Sequence, residues 1–282
     1  MNTTVQVCAA IAMGCAAQLC RAEPPPLAPA DQGPLAQPSA AEDRLLFSAD
    51  GAWLTGGSGG AGASALWSHT FAPRDVLSAG VEQQEIANAH WTTGALSGSL
   101  ALGSDMSATS LYGEAHEGAG DIGRRGFRYS VAAAGFLTTP IQWLSVQLEE
   151  RRIDVDTSHG NLPKLTLAFH IAPPLLLSAS YADTVGGNLG TRLTTLRIDY
   201  AGRPVSALAG ASRGQAAPAV LNLLGQTVAP GPQLTELFAG LGRSFGRSDW
   251  QLLADHQNLG GFKRTTATLL CTLHLDRKGR SP

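Results

Sequence analysis

The stretch IQWLSVQLEERRIDVDTSHGNLPKLTLAFHI, residues 141–171, decides the fold class of this protein. Apolar and polar residues alternate in its first part: the apolar set is Leu144, Val146 and Leu148, and the polar set is Ser145, Gln147, Glu149 and Arg151. The segment from Lys164 to Ile171 alternates in the same way. A period of two is that of a β-strand with one apolar and one polar face, so the stretch predicts two strands joined by a polar link.

The alternation continues along the chain from Arg44, and no helical period competes with it. We predict fourteen strands, at residues 44–55, 63–71, 75–84, 90–103, 106–117, 125–138, 141–153, 163–172, 175–184, 191–201, 204–214, 234–245, 249–258 and 262–275.

The links between these strands alternate in length. A short turn such as Thr139-Pro140 is followed by a longer polar link such as 154–162. This order is typical of an up-and-down antiparallel transmembrane β-barrel, which has an apolar outer side and a polar lumen. The Greek-key crossings of a soluble sandwich would scramble it. The sequence therefore predicts an all-β barrel of about fourteen strands, with twelve as the alternative count.

Four aromatic residues support a position in a membrane. Trp143 and Trp250 follow short turns, and Phe71 and Phe245 precede them. Trp and other aromatic side chains collect at membrane interfaces, so these four predict a girdle at one end of the barrel. The alternative is a soluble, secreted β-domain that binds a ligand.

The N-terminal 22 residues predict a signal peptide. The apolar run Val5–Leu19 is too short to span a bilayer, and Cys20-Arg21-Ala22 fits a small-x-small cleavage site. A lipoprotein-type site ending at Cys15 is the alternative. After the leader we expect a flexible Pro/Ala-rich lead-in at 23–43, the barrel at 44–275 and a polar tail at 276–282.

Charge and cysteine content exclude two classes of protein. The chain has 20 Lys and Arg against 22 Asp and Glu, and this lack of basic excess argues against nucleic-acid binding. Three of the four cysteines lie in the predicted leader, which leaves Cys271 alone. A secreted chain with one thiol has no disulfide framework.

The acidic link in the quoted stretch imitates a calcium loop without completing it. Asp154, Asp156 and Ser158 have the spacing of the first three ligands. Such a loop needs Gly at position six and Glu at position twelve, but His159 and Leu165 stand there. Ser158 and His159 are neighbours in a flexible link and are not positioned for proton transfer. We therefore predict a solvated connection, with no bound metal.

Two further pairs resemble sites. Cys271 and His274 are three apart on a strand, so they point to opposite faces and cannot share a metal. The tripeptide Trp67-Ser68-His69 could supply the Ser/His pair of a barrel hydrolase, but the sequence shows no third member of a triad. We predict no catalytic residues and no cofactor, and keep the hydrolase as an alternative.

A set of charged residues on the polar face of the strands forms the candidate site. In a barrel embedded in lipid these side chains must face the lumen. They would either brace the wall through salt bridges or line a path for solutes. The candidates are Glu114, His116, Glu149, Arg151, Lys164, His170, Arg197, Asp199 and Asp255.

Asparagine marks the longer links. Four of the five asparagines after the leader precede a leucine: Asn161, Asn188, Asn222 and Asn258. They predict either a repeated turn signal or an outer rim that contacts a polymer or partner. The longest link, 214–233, has an apolar centre and could enter the lumen or lie on the membrane surface.

The chain resembles the YaiO-like family of outer-membrane β-barrels. The segments that carry the resemblance are IDVDTSHGNLPKL (153–165), GGNLGTRLTTLRIDY (186–200) and the hairpin from Trp250 to Leu275. The resemblance implies the outer membrane of a Gram-negative bacterium and a link to surface or exported polysaccharide. Two features depart from this class: the leader lacks an initial positive charge, and the last strand ends Leu273-His274-Leu275 without a terminal aromatic.

These observations predict a non-enzymatic outer-membrane channel or accessory barrel for envelope solutes such as saccharides. Its expected partners are membrane lipid and small solutes or polysaccharide, and we expect a monomer. The alternatives are a barrel enzyme that acts on lipid or glycan and the soluble β-domain.

Overall fold

The computed structural model describes residues 42–55, 59–72, 75–86, 89–102, 109–156, 158–187, 190–202, 204–215, 233–259 and 262–275. The predicted leader, residues 23–41 of the predicted lead-in and the predicted tail lie outside these residues, as does most of the 214–233 link. Glu42 and Asp43, predicted as the end of the lead-in, already belong to the first strand. Among the described residues, no helix is long and apolar enough to cross a membrane.

Fifteen β-strands make one antiparallel sheet. They are β1 (Glu42–Leu54), β2 (Gly59–Ala72), β3 (Asp75–Ile86), β4 (Ala89–Leu102), β5 (Thr109–Ile122), β6 (Arg125–Ile141), β7 (Leu144–Val155), β8 (Ser158–Ala172), β9 (Leu175–Asp183), β10 (Val185–Gly187), β11 (Arg192–Tyr200), β12 (Val205–Gln215), β13 (Gln233–Phe245), β14 (Ser248–Leu259) and β15 (Phe262–Leu275).

The sheet closes into a barrel. Strands β1 to β9 pair in chain order, β9 pairs with β11, and β11 to β15 again pair in order. Pairing of β15 with β1 completes the ring, while the short β10 only extends the ladder of β8. Fourteen strands therefore form the wall, and the prediction of an all-β, up-and-down antiparallel barrel is confirmed. Because fourteen is even, β1 begins and β15 ends at the same end, here named the terminus end; the other is the far end.

The outer face of the wall is apolar over most of its height. Leu237 and Leu241 on β13 are 64% and 66% exposed, and they belong to a band of large apolar side chains that encircles the barrel. Other members of the band are Phe47, Val81, Leu96, Leu100, Leu165, Leu196, Ile198, Leu252 and Leu269. A water-soluble domain does not leave a continuous surface of this kind exposed, whereas hydrocarbon chains would cover it.

Aromatic side chains gather at the terminus end. Phe71 and Phe245 end β2 and β13, Trp250 lies near the start of β14, and Trp143 lies in the β6–β7 turn. All four are exposed, and Trp143 stacks on Phe169 with ring centroids 6.2 Å apart. The arrangement is that of an interfacial girdle.

Several far-end links are shorter than the sequence predicts, and those predictions were wrong. The predicted link 154–162 is a hairpin in which β7 runs to Val155 and β8 begins at Ser158. The predicted links 85–89 and 118–124 are likewise largely strand, because the ladders continue beyond the apolar band into polar sequence. At the terminus end, the predicted turn Gly103-Ser104-Asp105 lies outside the described residues.

Asp156 explains how the β7–β8 hairpin turns so tightly. Its φ of 48° lies in the left-handed region, which aspartate tolerates better than most residues. Its backbone N–H donates to the carbonyl of Arg128, and its carboxylate accepts from the Arg128 N–H, both at 3.0 Å. The turn is therefore attached to the neighbouring strand β6.

Candidate functional site: the lumen

The strand register decides which charged side chains face the lumen. Positions that alternate with the apolar band carry nine carboxylates: Glu42, Asp50, Glu82, Glu114, Glu149, Asp199, Glu236, Asp249 and Asp255. Among the inward positions whose side chains the structure describes, five carry Lys or Arg, namely Arg44, Arg151, Lys164, Arg197 and Arg264, and three carry histidine, namely His116, His170 and His274. All nine candidates from the sequence therefore share one face of the described wall.

One side of the lumen holds a buried ion network. Arg151 on β7 places Nη2 2.9 Å from a carboxylate oxygen of Glu149 and 2.9 Å from Oε1 of Glu114. The Glu114 contact is a close charge pair without the angles of a directed hydrogen bond. Tyr112 donates to Glu149 at 2.9 Å and accepts from Gln147 at 2.7 Å. These contacts join β5 to β7 and act as a brace of the wall.

A glycine in the intervening strand β6 allows the Tyr112 side chain to reach across that strand to β7. Tyr112, Gly135 and Glu149 lie in one row across β5, β6 and β7. A Cβ on Gly135 would fall 2.5 Å from the Tyr112 oxygen, so only glycine leaves the phenol room to cross β6. Gly62 does the same on β2, where a Cβ would fall 2.1 Å from Nε2 of Gln84.

On the other side of the lumen, the Gln84 side chain passes over Gly62 and contacts a group of acidic residues. The Gln84 amide on β3 donates to Asp50 on β1 and to Glu82, both at 2.9 Å. On β13 and β14, Gln257 donates to Glu236 at 2.8 Å, and Asp255 is buried two residues from Gln257.

Of this group the sequence singled out only Asp255. Asp50, Glu82 and Glu236 were missed, although their alternation with apolar neighbours is a usable signal of the inner face.

A second group of charged side chains, which was not predicted from the sequence, lies at the terminus end. His274 on β15 lies between two carboxylates, with Nδ1 2.6 Å from Glu42 and Nε2 2.7 Å from Asp249. Arg44 pairs with the other oxygen of Glu42 at 2.7 Å. The group ties β15 to β1 and β14, where the first and last wall strands meet.

Other candidates occupy separate positions on the inner face. Arg197 binds Asp199 on its own strand through Nε at 2.9 Å and Nη2 at 2.6 Å. His116 lies 3.7 Å from Glu114. Lys164 is opposite Glu149 in the β7–β8 register. The nine candidates thus form several groups and not a single centre.

On the β4 to β7 side, the far-end part of the lumen is not polar, contrary to expectation. Trp91 on β4 and Phe127 and Tyr129 on β6 point inward and are almost fully buried. Their rings contact one another at centroid distances of 6.4 to 6.5 Å. The Tyr129 hydroxyl is hydrogen-bonded to the Thr93 hydroxyl across Gly118. Neighbouring Val and Ile side chains extend this apolar cluster, so the wall here packs as a hydrophobic core.

The Ser/His pair that the alternative hydrolase requires, Ser68 and His69, does not form. Ser68 faces the lumen opposite Arg44, whereas His69 lies on the outer face and contacts Asp43 at 2.7 Å. Adjacent residues of a strand point to opposite faces, so Ser68 and His69 cannot exchange a proton.

A different pair, Ser145 and His170, does form inside at 2.9 Å. Within the described wall, no carboxylate contacts the His170 ring to complete a triad.

The remaining sequence motifs have no chemistry in the described residues. Cys271 faces outward and His274 inward, as expected from their spacing. Across the described ranges, no group of three His, Cys, Asp or Glu side chains could hold a metal ion. Asn161 and Asn258 lie on the outer face near the far end, and Arg152 reaches Asn161 at 3.5 Å. Asn188 and Asn222 lie outside the described residues.

The chain has the fold of outer-membrane β-barrel channels. It is similar to the TodX ΔS2S3 monoaromatic hydrocarbon channel, with a TM-score of 0.56, 8% identity and coverage of 86% of this chain and 91% of that chain. It is similar to a FadL homologue of Pseudomonas aeruginosa, with a TM-score of 0.51, 10% identity and coverage of 83% and 89%. The KdgM porin matches with a TM-score of 0.45, 10% identity and coverage of 82% and 98%. At such identities the likeness concerns the fold alone.

No family model matches the sequence, and no curated protein matches it.

Proposed function

We propose that the chain is a non-enzymatic channel or accessory barrel of the outer membrane that serves polar envelope solutes. The observation that carries the proposal is the contrast between the two faces of one closed wall. Apolar side chains encircle the outside, while nine carboxylates and five Lys or Arg side chains line the inside. Charged groups inside a lipid-embedded barrel mark the path of water and solutes.

The charged lumen also favours one solute class over another. TodX is a monoaromatic hydrocarbon channel, and a hydrocarbon gains nothing from a lumen lined by Glu149, Arg151 and Asp255. Polar solutes, including the saccharides suggested by the YaiO-like resemblance, can replace their lost hydration with hydrogen bonds to these groups. Membership of the YaiO-like family remains part of this proposal.

The expected orientation follows from strand number and girdle. The first wall strand begins and the last one ends at the terminus end, which in a barrel exported through the periplasm is the periplasmic end. Cleavage after Ala22 would leave the 23–43 lead-in on that side. Lipid is the expected partner of the outer wall, and a monomer satisfies the closed ladder without a second chain.

Three measurements test the proposal. Outer-membrane fractions should contain the protein as a band whose migration shifts on boiling, as folded barrels do in detergent gels. The purified barrel should conduct ions in planar bilayers. Recovery as a soluble periplasmic protein would contradict the whole proposal. A folded barrel with no conductance would contradict the channel and favour the accessory barrel.

The enzymatic alternative has its own test. Ser145→Ala should leave any trace hydrolysis of ester or glycoside substrates by the purified barrel unchanged. A serine-dependent activity that disappears with Ser145→Ala would establish the hydrolase instead.

A further inference from the structure

The inner face of the described wall strands carries an excess of negative charge. Among the side chains that the structure describes, its nine carboxylates outnumber its five Lys and Arg side chains by four. Even with His274 charged between its two carboxylates, an excess of three remains. The outer face contributes less to the lumen, because its charges project away from it.

The excess is concentrated on one side. On β5, β7 and β8, Arg151 and Lys164 balance Glu114 and Glu149. On β13, β14, β15, β1 and β3, six carboxylates face the lumen against two cations, Arg44 and Arg264. Glu42 and Asp249 lie with Arg44 and His274 at the terminus end, and the other four carboxylates lie farther along the wall, with Arg264 among them. These four, Asp50, Glu82, Glu236 and Asp255, are called the acidic face below.

A separate observation is that carboxylates already engage three cations of the lumen, Arg44, Arg151 and Arg197. Arg151 contacts two carboxylates at 2.9 Å, and Arg197 holds both oxygens of Asp199. An anion in the lumen would have to displace these contacts to gain a partner. A cation meets carboxylates whose described partners include the neutral amides of Gln84 and Gln257.

We propose that the lumen selects cations over anions and that the acidic face sets this preference. The inference rests on the channel function proposed above and names its solute class: inorganic and small organic cations. Charge lining a low-dielectric passage produces a potential that concentrates counter-ions. A potential of only one kT separates monovalent cation and anion concentrations by about sevenfold, so a permeability ratio of several-fold is expected.

The test is the reversal potential of single channels in a KCl gradient. The wild-type barrel should pass potassium several-fold better than chloride. A variant with Asp50→Asn, Glu82→Gln, Glu236→Gln and Asp255→Asn leaves five inner carboxylates against five Lys and Arg. Its permeability ratio should fall to about one, because the excess charge that makes the lumen potential negative is gone.

A matched control removes the same charge from the outer face. Glu85→Gln, Glu117→Gln, Asp121→Asn and Asp183→Asn all lie at outward positions of the register. This control should keep the wild-type ratio. An equal fall in the control would show that total charge, and not the acidic face, sets the preference.

Two outcomes keep the inference separate from the channel function. If the folded wild-type barrel conducts but prefers chloride or shows no preference, cation selection is wrong and the channel stands. If it does not conduct, the channel proposal itself fails. Should the fourfold variant not fold, the half-buried pair Asp50→Asn and Glu236→Gln must still lower the ratio part of the way, and an unchanged ratio would overturn the role of the acidic face.

Discussion

Replacement of Arg151 by methionine tests whether the buried ion network braces the wall. Arg151 is 2% exposed and stands between Glu114 and Glu149, whose side chains are 11% and 2% exposed. Methionine keeps most of the volume and removes the charge. Two carboxylates would then face each other in a poorly hydrated pocket without their shared cation.

The magnitude follows from burial. Removal of one partner from a buried ion pair costs about 3–5 kcal/mol, because the remaining charge stays desolvated. At roughly 2–4 °C per kcal/mol for a chain of this size, Arg151→Met should lower the melting temperature by roughly 10 °C. Urea unfolding of the barrel in lipid vesicles, followed by tryptophan fluorescence, measures the free energy directly.

The neighbouring residue supplies the control. Arg152 pairs with Asp154 on the outer face at 2.9 Å, and both side chains are about half exposed. Arg152→Met should therefore cost far less stability than Arg151→Met, because an exposed ion pair is screened by solvent. Equal losses for Arg151→Met and Arg152→Met would refute the brace.

A combined variant separates charge from packing. Adding Glu114→Gln and Glu149→Gln to Arg151→Met removes the uncompensated charges, so most of the lost stability should return. If this triple variant is as unstable as Arg151→Met alone, lost packing and not unpaired charge explains the effect.

Three further predictions follow from named contacts. His274→Ala removes two carboxylate contacts where β1 meets β15, so the barrel should unfold at lower temperature in a gel-shift assay, whereas His256→Ala on the exposed outer face should not change it. Gly135→Ala would place a Cβ 2.4 Å from the Leu148 carbonyl oxygen, so refolding yield should fall several-fold; a normal yield would show that β6 can shift. Cys271 faces the apolar band, so the folded mature chain in vesicles should resist a charged maleimide and react with an apolar one, and rapid charged labelling would place Cys271 in water.

The fold class could be predicted from the sequence because strand periodicity is a local property. Leu144 to Arg151 alternate with a period of two, and the structure keeps the same faces along β7. The link lengths were predicted less well. The polar composition of residues 154–162 looks like a loop, but strand pairing continues through them because β6 holds the Asp156 turn.

The candidate site was predicted only in outline. Arg151 and Glu149 share a face two positions apart, which alternation reveals. The hydrogen bond between Tyr112 and Glu149 depends on the register of the three strands β5, β6 and β7. No local sequence pattern encodes that register. The failure of the Ser68 and His69 pair, in contrast, already follows from strand geometry.

The sequence by itself determined that this chain forms strands with one apolar and one polar face, because that pattern depends only on neighbours along the chain. Only the tertiary structure decided which charges meet. Closure of the ring sets the register between β1 and β15, and glycines such as Gly62 let Gln84 cross one strand to reach Asp50. These contacts join residues far apart in sequence, so the acidic face exists only once the barrel has closed.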